Sequence, residues 1–299
     1  ELRGESALTG VERDSITARI AKQLYPKANI LGPLSFEDAR FADNTFNLNV
    51  GNPPFGNESP YDETARHLKG FSIHNFFFAK AIDKLAPGGL HIQVVSRYLM
   101  DAQDSTAREY MAHRTRLVGA IRLPWTAFYE NARTEVVTDI VILQKLPQDE
   151  WGTADRSWTR TGMVPDPLGG ESMRVNEYFV AHPEMILGTM DRSGEQMHEN
   201  DITVQPDESV PLVLQIAKAA MNLPTDIYTR GKSEKTVEAE QDAAVAPADV
   251  IERYNIGAYF EEGGKLFQRV AAADGSAQAE VITASSVWKS HEGEKTKEG

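Results

Sequence analysis

The chain of 299 residues contains no cysteine. That absence excludes disulfides, thiolate zinc sites and a cysteine nucleophile together. It also fits a reducing compartment, so a cytoplasmic location is expected. Long hydrophobic runs are missing as well. None approaches the roughly 18 apolar residues needed to span a bilayer, so no membrane partner is expected. The sequence does not open on a charged-then-apolar leader with a small-residue cleavage site, so secretion is not expected. Basic charge is scarce, with 31 Lys and Arg against 44 Asp and Glu, a net charge of -13. That sign is wrong for a protein that coats nucleic acid non-specifically. It weighs less against an enzyme with a local basic face or a basic partner domain. The 7 His are dispersed without the paired spacing of a helical zinc site, and no metal is expected. No phosphate-binding P-loop and no internal repeat are present.

What is present is an alternation of short apolar segments with helical ones, punctuated by Gly and Pro. Residues 8–12 read as a strand ending on Glu12. Asp14 or Ser15 caps a helix over 16–24, with Ile16, Ile20 and Leu24 on one stripe. Strands follow at 28–31 and 46–50. Residues 56–70 form a polar loop, long enough to suggest function although a solvated loop is the simpler reading. The spacing of Phe77, Ala81 and Leu85 predicts a helix over 74–85, stopped by Pro87-Gly88-Gly89. A buried strand over 90–95, a helix from Asp104 or Ser105 to Arg114, and strands over 117–123 and 135–144 complete the run. This pattern predicts a doubly wound, mostly parallel α/β sheet, with room for an antiparallel edge strand at its end. Three regions are expected: a core over 1–147, an irregular and helical extension over 148–229, and a last region over 230–299. The last holds a linker, a small hairpin over 256–270 and a disordered tail from Lys289.

One stretch stands out, Asn49-Val50-Gly51-Asn52-Pro53-Pro54-Phe55-Gly56. A Pro-Pro pair cannot continue a helix or donate to a central ladder, so the chain must leave the strand there. Asn52, preceding a proline, is held extended or in a turn. Its side-chain oxygen and the Pro53 carbonyl are two acceptors able to take both hydrogens of one exocyclic amine. Phe55 supplies a flat face for a base. The alternative is a surface turn with one buried aromatic. At other strand ends, Glu12 is suited to accept two ribose hydroxyls, or is simply an exposed carboxylate. Phe36 is suited to pack on an adenine, or is a core residue. Glu37 is suited to bind an amine or ring nitrogen, or caps a turn. Ligands in such sheets bind outside the carboxyl ends of the strands, so these residues are expected to line one crevice.

Together these residues resemble the S-adenosylmethionine-dependent, N6-adenine-specific DNA methyltransferases of the Asn-Pro-Pro-Phe class. The resemblance extends to the methylase domains of large helicase–methylase fusion proteins of plasmids and phages. It rests on the runs Gly10-Val11-Glu12, Arg19-Ile20-Ala21, Leu24-Tyr25-Pro26, Phe71 to Phe77, Ala120 to Pro124, Thr134 to Ile140 and His182 to Met185. It implies a Rossmann-like class I methyltransferase fold as far as about residue 190; beyond that the residue pattern itself is read as a small α+β C-terminal region. It further implies S-adenosylmethionine as cofactor, bound by Glu12, Phe36 and Glu37, and catalysis at Asn52, Pro53, Pro54 and Phe55 on an adenine flipped out of DNA. A restriction-modification setting and a helicase domain in the same full-length protein are implied partners. The family's Gly-rich turn should lie ahead of Glu12, where only Gly4 and Gly10 occur. The fold is therefore expected without its first strand and that turn. Two alternatives stand beside this reading. One is a protein-glutamine methyltransferase of the same fold. The other is a methylase-fold DNA-binding or assembly module without activity of its own.

Overall fold

The computed structural model describes residues 7–54, 56, 58–129, 133–194, 201–228, 251–262, 265–271 and 277–281. The chain forms two compact units, Glu1–Ser233 and Glu234–Gly299. Among the described residues, no helix is long and apolar enough to cross a membrane.

The first unit opens with β1 (Thr9–Val11), α1 (Ser15–Leu24) and β2 (Asn29–Leu31), the two strands pairing in parallel. The helix starts where the sequence says it should. The Asp14 carboxylate accepts from the amides of Ile16 at 3.0 Å and Thr17 at 2.7 Å, satisfying donors that the first turn leaves open. Only Ala18 of α1 is buried. The stripe of Ile16, Ile20 and Leu24 is 58%, 53% and 67% exposed, so the amphipathic face looks outward.

A four-stranded sheet follows, built from β3 (Phe46–Gly51), β4 (Leu85–Ser96), β5 (Thr115–Leu123) and β6 (Thr138–Lys145) in the order β3-β4-β6-β5. The first two strands are parallel, and β6 runs antiparallel to both of its neighbours. The antiparallel strand is therefore interior, and β5 takes the edge. The reason is compositional: Val141 and Leu143 of β6 are fully buried on one face while Ile140 and Ile142 fill the other. A strand apolar on both sides gains most between two neighbours. The β1–β2 pair is a separate sheet from these four strands.

Between β3 and β4 lies α2 (Ile73–Asp83), and between β4 and β5 lie α3 (Tyr98–Asp101) and α4 (Thr106–Arg114). Phe76, Phe78, Ala79 and Ile82 of α2 are buried against the sheet, the two Phe and the Ile each contributing about 1.5–3 kcal/mol of hydrophobic stabilisation. The expected stop at Pro87-Gly88-Gly89 is not what ends the helix. It ends at Asp83, and those residues sit inside β4, where the β3–β4 register shifts between Phe46 and Leu48. The polar loop over 56–70 is also more ordered than a solvated loop. It contains a 3-10 turn, Glu63–Leu68, with Ala65 and Leu68 buried.

Residues beyond β6 join the same core through Trp158, Met173, Val175, Phe179, Met185 and Ala219. They supply two antiparallel pairs, β7 (Thr161–Val164) with β8 (Met173–Asn176) and β9 (Thr189–Gly194) with β10 (Asp201–Gln205). They also supply α5 (Glu177–Ala181) and α6 (Leu212–Ala220). In the second unit, β11 (Tyr259–Glu262), β12 (Lys265–Ala271) and β13 (Ala277–Val281) form an antiparallel sheet. Its small core holds Ile251, Phe260 and Phe267. The hairpin expected over 256–270 is the β11–β12 pair. The expected linker over 230–249 and the tail from Lys289 lie outside the described residues.

Candidate active site

The site is built from the end of β3. Gly51 pairs with Gln93 of β4, and a Cβ on Gly51 would sit 3.1 Å from the Gln93 amide nitrogen. That nitrogen donates to the Asn49 side-chain oxygen at 2.8 Å. The glycine thus makes room for a side chain that pins the strand end. Immediately beyond it the prolines release the chain from the ladder. Asn52 and Pro54 are exposed and Pro53 is buried. Among the described residues, neither the Asn52 carboxamide nor the Pro53 carbonyl has a hydrogen-bond partner. Phe55 lies outside the described residues.

Asn52, Pro53 and Pro54 line a cavity of about 260 Å³ whose other walls are Val94, Phe128, Thr134, Val136 and Thr138. This is just below the ~300–1,000 Å³ of typical small-molecule pockets, a size suited to one ring system. Three strands place these walls. Val94 is near the carboxyl end of β4, and Phe128 follows the carboxyl end of β5. Val136 and Thr138 stand at the start of β6, which reaches the same rim because it runs the other way between the first two. Sequence reasoning missed this far wall. Its signal was there, in the Pro124 break and the following Thr134 to Ile140 run, but reading β6 as an edge strand moved its start away from Asn52.

The start of β6 is fixed by charge. The Arg122 guanidinium holds the Asp139 carboxylate with two bonds, of 2.8 and 2.9 Å, and pairs with Asp101 at 2.8 Å. Arg122 and Asp139 are fully buried and Asp101 nearly so. A fork-to-fork pair fixes geometry as well as charge. Arg97 extends the network to Asp101 and Asp201.

Glu12, Phe36 and Glu37 lie elsewhere, and the cavity at Asn52 is lined without them. Glu12 follows β1 half-buried, and its carboxylate accepts from the Asp14 amide at 2.8 Å. Phe36 packs on Phe77 with ring centroids 5.1 Å apart. The Glu37 carboxylate has no hydrogen bond or ion pair among the described residues. The turn that carries both is held by a buried cation. The Lys80 ammonium of α2 donates to the carbonyls of Phe36, Glu37 and Ala39 at 2.5, 3.1 and 3.3 Å. It also pairs with Asp62 at 2.8 Å. Burial pushes the Lys80 ammonium down, and Asp62 opposes that shift. Burial would raise the Asp62 carboxyl, but hydrogen bonds from Lys80 and Thr64 outweigh it and hold the group well below the usual carboxylate range. One side chain therefore ties the Phe36-Glu37 turn to the loop over 56–70.

No protein-family model matches the chain, and no curated protein sequence matches it. Some solved structures show partial similarity to the chain. A protein from Listeria monocytogenes assigned to the class I S-adenosylmethionine-dependent methyltransferases is 20% identical. The match covers 48% of this chain and 46% of that one, with a TM-score of 0.40. A protein from Vibrio vulnificus, assigned as the modification subunit of a type I restriction enzyme, is 18% identical over 47% of this chain and 33% of that one, at 0.40. The M protein of the type I restriction enzyme EcoKI is 13% identical over 82% of this chain and 62% of that one, at 0.42. The chain spans less than two thirds of the length of each. The α/β assignment stands on its own strand order, with helices in the β3–β4 and β4–β5 connections; the sheet itself is mixed, with one parallel and two antiparallel pairings, rather than mostly parallel as expected.

The described residues contain no cluster of three or more His, Asp or Glu able to hold a metal ion. Of an S-adenosylmethionine molecule, the ribose and adenine ends have candidates in Glu12 and the Phe36-Glu37 turn.

Proposed function

We propose that the chain is the catalytic part of a methyltransferase acting on the N6 amine of adenine in DNA. The observation that carries this reading is the pair of unengaged acceptors, the Asn52 side-chain oxygen and the Pro53 carbonyl, on the rim of a cavity of about 260 Å³. Asn52 and Pro53 accept the two amine hydrogens, which bends the amine toward tetrahedral geometry and frees its lone pair. Pro53 and Val94 form apolar walls, and Phe128 faces the base, with Phe55 proposed as a second stacking residue. S-adenosylmethionine, proposed to lie along Glu12, Phe36 and Glu37, supplies an electrophilic methyl group. The neutral amine needs no strong base; positioning and electrostatics carry the rate. Removing adenine from the duplex costs a few kcal/mol in stacking. Residues 1–147 are proposed as this core, 148–229 as its extension and 230–299 as a further region. A helicase domain elsewhere in a longer protein, a restriction-modification role and a cytoplasmic setting are parts of the same proposal.

The test incubates the full chain with methyl-labelled S-adenosylmethionine and either DNA or a mixed protein substrate. Label recovered as N6-methyladenine, lost by at least ~100-fold in Asn52→Ala, is the expected result. Label on protein glutamine instead would overturn the DNA assignment. A second reading is a methylase-fold binding or assembly module that transfers no methyl group, a reading supported by the net charge of -13. Calorimetry with S-adenosylmethionine separates the two: heat supports the enzyme, and no heat from this chain and from a chain extended upstream alike supports the module.

A further inference from the structure

We propose that the Thr138 hydroxyl is a specificity contact of the base pocket, donating to a ring nitrogen of the purine whose amine Asn52 and Pro53 hold. This rests on the reading above and adds a residue to it. Thr138 is fully buried, and its Oγ1 has no hydrogen-bond partner among the described residues. The residue lines the same cavity as Asn52.

Register puts the Thr138 side chain on the face of the sheet that borders the cavity. Ile140 of β6 pairs with Val94 of β4, and Thr138 pairs with Ser96. Side chains two residues apart share a face, so Thr138 stands on the face of Val94, which is itself a cavity wall. The opposite face, with Asp139 and Val95, is given to the buried ion pair and the core.

The energetics make an idle hydroxyl there hard to explain. A buried hydroxyl without a partner is destabilising. Valine fills nearly the same volume without that cost and suits a strand better. The other walls are mixed: Asn52 and Thr134 are polar, and Pro53, Val94, Phe128 and Val136 offer apolar surface, so a water there would need two or more of those polar groups within its reach. A flat heteroaromatic ring meets both requirements. Its faces match the apolar walls, its exocyclic amine meets the two acceptors on one rim, and a ring nitrogen meets the hydroxyl on another. In adenine, N1 and N7 flank the amine on either side, and each accepts a hydrogen bond.

The test uses the full chain and three nucleosides, adenosine, 1-deazaadenosine and 7-deazaadenosine, with binding followed by NMR shifts of threonine methyl groups. The variants are Thr138→Val, Thr138→Ser and Asn52→Ala. The wild type should bind adenosine about five- to tenfold more tightly than one of the two deaza compounds, the ratio one hydrogen bond commonly gives. Thr138→Val should abolish that preference, Thr138→Ser should keep it, and the melting temperature of Thr138→Val should be equal to or above that of the wild type. A structural threonine would instead lower the melting temperature on becoming valine. An unchanged preference in Thr138→Val, with binding lost in Asn52→Ala, overturns this inference and leaves the function standing. No adenosine binding by the wild type overturns both.

Discussion

His91 shows how much a single side chain can be made to forgo. It is fully buried on β4, both ring nitrogens lack a partner among the described residues, and its ring meets Phe78 edge-on at 4.2 Å. Burial alone pushes its pKa down to about 3. The unfolded chain takes up a proton near pH 6.5, whereas the folded chain resists it until about pH 3. Stability from this residue is thus complete above pH 6.5 and declines as pH falls from 6.5 towards 3. Between pH 7 and pH 5 the loss is about 2 kcal/mol. His91→Leu should remove that slope, so that urea unfolding shows the variant gaining on the wild type as pH drops. Parallel profiles for the two proteins would mean that the imidazole is solvated or paired in solution.

At the scale of elements, the arrangement of β5 and β6 depends on a buried charge cluster. Arg122 joins the two strands through Asp139 and reaches α3 through Asp101. Removing the guanidinium leaves two carboxylates buried without their main counter-charge. Arg122→Met should cost roughly 3–5 kcal/mol by denaturant titration. Adding Asp139→Leu to that variant should recover part of the loss, because the second change removes one stranded charge. Additive costs would show that the pair is not coupled. The pair also joins two runs that are separate in sequence, Ala120 to Pro124 and Thr134 to Ile140. Each looks like an ordinary strand end until the register places Arg122 opposite Asp139. The lysine of α2 works in the same way, since nothing in its helical spacing says that Lys80 closes a turn some forty residues earlier.

For the molecule as a whole, the unusual feature is apolar surface left open. The stripe of α1 faces solvent, and on β3 Leu48 and Val50 are 36% and 68% exposed, although parallel strands are ordinarily covered on both faces. Substitutions there should be nearly free in the isolated chain. Ile20→Lys and Leu24→Lys should each change stability by no more than about 0.5 kcal/mol, while binding of a hydrophobic dye falls. A large loss of melting temperature in either variant would show that the stripe is packed in solution.

The sequence by itself determined what depends on near neighbours. Asp14 starts α1 because a side-chain oxygen reaches amides two and three residues on. Asn52 sits just past a strand because two prolines forbid the ladder from continuing, whatever surrounds them. The alternation that predicts an α/β sheet survives for the same reason, as burial periodicity is a property of each segment. Only the tertiary structure decided what depends on register between distant segments. It placed β6 between β4 and β5, brought Phe128, Val136 and Thr138 opposite Asn52, and turned the α1 stripe outward. Pairing energies between strands are set by the whole sheet, and no local pattern encodes which face of a neighbour a residue will meet.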